Sequence, residues 1–236
     1  PIERLGELGR DYAAQVNISP LTAWWYAPLN TRIPPFDSEP ARQALAYAVN
    51  RDALVSLFGG PNLATPVCQV LPEGFPGHEP YCPFTKDPDT VWSAPDMEKA
   101  LALVEQSGTK GQEVTVVADD TNASTAVGTY LQSVLSDLGY DAKLNVLSSD
   151  IQFTYVQNSN NKVQISVSQW YQDYPAASDF LYVLFGCDSF RPGSDSSINM
   201  SAYCDKTVDD KMKAALTLGI TDEAAANKLW AEIDRD

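Results

Sequence analysis

From Pro95 to Trp170 the chain alternates between a helical and an extended hydrophobic period, and no other feature of its 236 residues restricts the fold so strongly. Met97, Ala100, Leu101 and Val104 make one face of a helix that Gly108 ends, and Glu113 to Ala118 follows as a Val-rich strand. Ala126, Tyr130, Val134, Leu135 and Leu138 form a second helical face ended by Gly139. Tyr140 to Leu147 then alternates as a strand, Ile151 to Gln157 suits a short helix, and Val163 to Trp170 is a further strand. Parallel strands need a crossover of a dozen or more residues, and these helices supply one each time. The pattern therefore predicts an α/β fold: a mixed, mainly parallel sheet flanked by helices.

The flanks add other elements. Leu21 to Asn30 carries Trp24, Trp25 and Tyr26 and reads as a strand ending before the turn at Pro34-Pro35. Ser38 caps a helix whose stripe is Ala41, Ala44, Leu45, Ala48 and Val49, stopped by Gly59-Gly60-Pro61. Residues 61–95 hold eight prolines and form a long irregular excursion, which needs a function or a staple. Near the C-terminus, Asp205 caps a helix with Val208, Met212, Ala215 and Leu216 inward, and Thr221 caps another with Ala225, Leu229, Trp230 and Ile233 inward. That last helix runs off the end without a stop signal, and Pro1 to Arg10 shows neither part of a secretion signal, so a piece of a longer chain is expected.

Composition narrows the function. Hydrophobic residues make up 44% and charged ones 20%, which excludes a disordered chain. Acidic residues number 31 against 16 basic, and the net charge of −15 repels phosphate backbones and anionic lipid, so neither nucleic acid nor a membrane surface is an expected partner. Nothing approaches ~18 consecutive apolar residues, so no span of a bilayer is expected. Cys68 and Cys82 bracket a Pro/Gly-rich loop, and Cys187 and Cys204 bracket a polar one. Three pairings are possible. Neither loop can hold itself by burial, so closing each with a disulfide makes physical sense and implies an oxidising compartment. Four free thiols in a reducing compartment are the alternative. Zinc lacks a C-x-x-C, and His78, among prolines, is the only histidine, so no metal site is expected.

Enzymatic motifs are missing. His78 is the only histidine available as a base, and no nucleophile elbow, zinc-protease or phosphate-loop pattern occurs. Asp119-Asp120 after a strand could hold a hard cation, although solvated turn residues are the simpler reading. The stretch that stands out runs from Trp170-Tyr171-Gln172-Asp173 through Tyr174-Pro175-Ala176-Ala177-Ser178-Asp179-Phe180-Leu181. It delivers a Trp and then an acid at the C-terminal end of a strand, where α/β sheets place ligands. An Asp beside large rings suits an amine, through a charge-assisted hydrogen bond in a water-poor setting. The competing reading puts Trp170 and Phe180 in the core and makes Asp173 a turn cap.

Several segments together resemble a known family. They are Leu29-Asn30-Thr31, Pro34-Pro35-Phe36-Asp37-Ser38, Arg42-Gln43-Ala44-Leu45-Ala46-Tyr47-Ala48-Val49-Asn50-Arg51-Asp52-Ala53-Leu54, Ala64-Thr65-Pro66, Leu71-Pro72 and the Trp170 to Leu181 stretch. In order and spacing they are similar to the family 5 extracellular solute-binding proteins, the peptide-, oligopeptide- and nickel-binding receptors of ABC importers. Asn50 departs from the Asp usual before that Arg, at what reads as a helix-surface position. Ala176 and Ala177 replace the more usual Asp-Pro, implying a differently shaped turn.

The resemblance implies a type II periplasmic-binding-protein fold with two lobes closing over a cleft. Residues 1–236 would be the C-terminal lobe, with the N-terminal lobe absent. Asp173 would pair with the ligand's α-ammonium group beside Trp170, while Asn30 and Tyr26 would lie near the hinge and cleft. The implied partners are a peptide or other small amine-bearing solute and an ABC permease. The implied setting is outside the membrane, at the cell surface or in the periplasm, with the full-length protein lipid-anchored; the paired cysteines resemble those of actinobacterial members, whose lipoprotein receptors sit there. No enzyme activity and no cofactor are expected, and one lobe alone should bind weakly or not at all. A peptide-sensing receptor and a carboxylate-based hydrolase are the alternatives.

Overall fold

Val116, Val117 and Ala118 are consecutive and all buried, so their strand is covered on both faces, as a central parallel strand must be. In the computed structural model, which describes residues 10–17, 19 and 21–236, this strand is β2 (Glu113–Asp119). Residues 1–9, where a secretion signal was sought, lie outside the described residues. β2 pairs in parallel with β3 (Asp141–Leu147) on one side and with the short β4 (Ile165–Ser166) on the other. The order β3-β2-β4 follows from the two crossovers, α4 (Asn122–Asp137) and α5 (Ser149–Gln157). Gly128 lets α4 lie close on the sheet: a Cβ there would sit 2.8 Å from Leu144 Cδ1 and 2.9 Å from Ala118 Cβ. The inward residues of α4 are Val127, Leu131, Val134 and Leu135, one position away from the predicted Ala126 and Tyr130 at its start.

The helix predicted from Ser38 to Gly59 is two helices, α1 (Glu39–Ala48) and α2 (Arg51–Leu57). Asn50 is extended, and its side chain accepts the Ala53 amide at 3.1 Å, so it caps α2 and is not a helix-surface residue. An Asp at this position would cap equally well. With α3 (Met97–Ser107), ended by Gly108 in the left-handed region, these helices complete a first core around Phe36, Leu45, Val104, Val116, Leu135 and Ile165.

A second core is assembled differently. Leu71 and Phe75 from the Pro-rich excursion pack with Phe180, Met212, Trp230 and Ile233. Met212 lies on α7 (Lys206–Leu218), while Trp230 and Ile233 lie on α8 (Glu223–Ile233). A short helix, α6 (Leu181–Phe185), adds Leu181. Asp222, not Thr221, caps α8, and this moves the inward face to Ala226, Trp230, Ala231 and Ile233. Leu216, predicted inward, is exposed. Both local disulfides form, Cys68–Cys82 and Cys187–Cys204. The excursion is also tied down by Asp234, whose carboxylate accepts the Val70 amide at 3.0 Å and the Gln69 side chain at 3.0 Å. Gly77 (φ 83°) allows the closest approach, since a Cβ there would be 3.0 Å from Trp230 Cβ.

The strand predicted over Val163 to Trp170 is also two. At Val167 the chain leaves the parallel sheet, and β5 (Ser168–Tyr171) pairs antiparallel with β1 (Ala23–Tyr26). This two-stranded ribbon is the seam between the cores. Its alternation sends Trp25 toward the first and Trp24 and Trp170 toward the second.

Candidate functional site

The C-terminal ends of parallel strands are where an α/β sheet leaves its crevice. Here Asp119 ends β2, Thr121 caps α4 by accepting the Ser124 amide, and Ser149 opens α5. Facing them across the crevice is the ribbon, whose register puts Trp25 opposite Gln169 and Ala23 opposite Tyr171. Between these elements lies a cavity of about 560 Å³, lined by Trp25, Asp119, Thr121, Phe153, Gln169, Tyr171 and Asp173 among others. Two carboxylates reach it, and no Lys, Arg or His is among its lining residues. Phe153 (43% exposed) and Tyr171 (48% exposed) leave large rings open to it.

Asp173 is exposed at the rim and forms no ion pair among the described residues. It is not a turn cap. Its amide is instead held at 3.0 Å by the carboxylate of Asp179, which is fully buried in a 3-10 turn, Ala177–Asp179. Burial pushes the Asp179 carboxyl above its ordinary range, opposed by the amides of Asp173 and Tyr174 and by the Trp170 indole.

Trp170 is half-buried. It also borders the cavity, while its packing is with the second core, opposite Trp24. Phe180 is fully buried in the same core, against Trp24 and Phe75. Tyr26 stacks on Trp24 at 4.7 Å between ring centroids, and burial raises its hydroxyl pKa. Asn30 is buried, donating to the Val163 carbonyl at 3.0 Å and accepting the Arg32 amide at 3.1 Å. Neither Tyr26 nor Asn30 lines the cavity. Asn30 ties its segment to the chain leading into β4, and Tyr26 pairs with Ser168 of β5.

Four participants escaped the sequence reading: Trp25, Phe153, Asp119 as a cavity wall, and Asp179. Period-two alternation in Trp24-Trp25-Tyr26 could have separated Trp25 from its neighbours. Asp119 closes a turn, accepting the Thr121 amide at 2.9 Å, whereas Asp120 ties the loop after β2 to the start of α5 by accepting the Ser149 amide at 2.9 Å. Among the described residues, no cluster of three or more His, Cys, Asp or Glu could hold a metal ion.

A parallel sheet whose strand ends open on an aromatic, acidic crevice, beside a separate antiparallel ribbon, is an arrangement suited to binding a small solute. Solved structures bear out the fold. The chain matches clavulanic acid biosynthesis oligopeptide binding protein 2 with a TM-score of 0.82 at 22% identity, covering 92% of this chain and 39% of that one. It matches the murein tripeptide binding protein MppA of Escherichia coli with a TM-score of 0.80 at 20% identity, covering 100% of this chain and 44% of that one. Among curated relatives, the glutathione-binding protein GsiB of Salmonella typhimurium is 28% identical over 222 residues, 92% of this chain and 41% of its own length. GsiB of Escherichia coli O157:H7 is 28% identical over 244 residues, covering 98% of this chain and 45% of its own length. The sequence profile of the bacterial extracellular solute-binding proteins, family 5 Middle, matches residues 1–191, and the chain belongs to that family. It spans less than half the length of the curated relatives it matches.

Proposed function

We propose that this chain is one lobe, the C-terminal one, of a two-lobed receptor that delivers an amine-bearing solute, such as a peptide, to an ABC permease. In this reading the carboxylate of Asp173 receives the ligand's ammonium group. One observation carries it: the cavity at the strand ends is lined by two carboxylates and no basic side chain, and Asp173 stands at its rim without a cationic partner among the described residues. The relatives are named for glutathione, oligopeptides and a murein tripeptide, ligands of the same general kind.

Such a receptor does no bond chemistry. Open and closed forms exchange, a solute bridging both lobes favours the closed form, and the permease reads closure. Trp25, Phe153 and Tyr171 exclude water around the amine and so strengthen its attraction to Asp173. Trp170 supports the turn from below, while Asn30 and Tyr26 secure the segment entering the lobe. Both disulfides suit work outside the membrane, and lipid anchoring of the whole receptor belongs to the same proposal.

Native mass spectrometry of the two-lobed protein identifies the co-purifying solute, and isothermal titration with it tests the site. Asp173→Asn removes a charge-assisted hydrogen bond and should weaken binding by about 1.5–3 kcal/mol, roughly ten- to a hundredfold. Unchanged affinity would end the ammonium reading.

A further inference from the structure

The turn that presents Asp173 is built over a second acid. Asp179 is fully buried, and its Oδ2 holds the Asp173 amide at 3.0 Å, while its Oδ1 has no hydrogen-bond partner. The Trp170 indole favours its ionised form, yet Trp170 Nε1 also completes no hydrogen bond. No Lys, Arg or His pairs with Asp179 among the described residues, and the charged group acting on it is Asp173 itself. A buried carboxylate without a cation is unfavourable, and a neutral residue would fill the same space at lower cost. An acid kept in such a place calls for a reason beyond packing.

We propose that Asp179 is the positioning residue of the ligand-amine site, fixing the Asp173 turn through the Asp173 amide and adding its buried negative charge to the pull on a bound ammonium group. Geometry supplies the first part. The hydrogen bond spans the turn between β5 and the 3-10 segment, and Phe180, the next residue, anchors the same segment in the second core. Charge supplies the second, because Asp173 acts on Asp179 as a like charge that helps hold its carboxyl up, an opposition that a cation at Asp173 lowers. Binding an ammonium at Asp173 relieves that repulsion, so the pair discriminates for charged amines over neutral groups of equal size. The inference rests on the reading of Asp173 given above.

Isothermal titration with the two-lobed protein tests it, using the co-purifying peptide with a free amine and the same peptide N-acetylated. Asp179→Asn keeps an oxygen for the Asp173 amide and removes only the charge. It should weaken free-amine binding about tenfold and change N-acetyl binding by less than about twofold. Equal loss for both peptides would mean a merely structural role and would overturn the inference, as would no loss for either. If the amide prevents folding, Asp179→Ser, smaller and neutral, makes the same comparison. If Asp173→Asn itself leaves free-amine binding intact, the ammonium reading falls. Failure confined to the Asp179 variants leaves that reading standing.

Discussion

The two cores of this structure are built by opposite means. The first surrounds the β3-β2-β4 sheet, and most of its members come from one run of chain between Ala100 and Val167. There α4 packs on β2 and β3, the strands on either side of it in sequence, while α5 packs on β2 and α3 on α1. The second brings together Leu71, Phe180 and the α7–α8 pair that carries Met212 and Trp230, three stretches far apart in the chain. Local contacts close short loops at small entropic cost, whereas distant ones must order long irregular segments first. Both disulfides, the Asp234 tether and the close approach at Gly77 fall in the second region. The comparison teaches that crosslinks appear where hydrophobic burial alone would have to order proline-rich or polar chain.

The sharpest attack on this contrast is Phe180→Ala. Phe180 is fully buried, touches Phe75 at 5.1 Å between ring centroids, and underlies the turn of Asp173. Its truncation should destabilise the protein by about 3–5 kcal/mol, measured by urea unfolding. A loss below about 1 kcal/mol would show that the second core is not tightly packed. Reducing the disulfides comes next, at about 3 kcal/mol for each loop. Hydrogen exchange should then show lost protection in α7 and α8 while β2 and β3 stay protected; uniform loss would make the two regions one cooperative unit. The smallest effect lies in the first region. Asn50→Ala should cost about 1 kcal/mol in thermal unfolding and Asn50→Asp almost nothing, because only a capping oxygen is needed there. If Asn50→Asp proved as damaging as Asn50→Ala, the hydrogen bond to the Ala53 amide would not explain the break between α1 and α2.

The same contrast governs what could be read in advance. Val114, Val116 and Ala118, or Ala100 and Val104, show their burial through period alone, so the parallel layer was legible. Misreadings there were small, such as the one-residue rotation at the start of α4 and the missed break at Asn50. Val163 to Trp170 was read as one strand because its hydrophobic period runs on through Val167, where the partner changes from β2 to β1. Partner exchange leaves no mark in a local pattern. For the candidate site, the place after a strand singles out Asp173 and Trp170 in the sequence; in the structure both border the cavity, Trp170 packs on the second core, and Tyr171 opens to the cavity.

The family, the α/β layer and the acid after β5 were determined by the sequence itself, since each is written in contiguous motifs or in a local period. Which face of the ribbon meets the cavity, and that Asp179 rather than Asp173 closes the turn, only the tertiary structure decided. Cross-strand register and the burial of a single carboxylate depend on residues far away in the chain, and nearest-neighbour chemistry does not encode them.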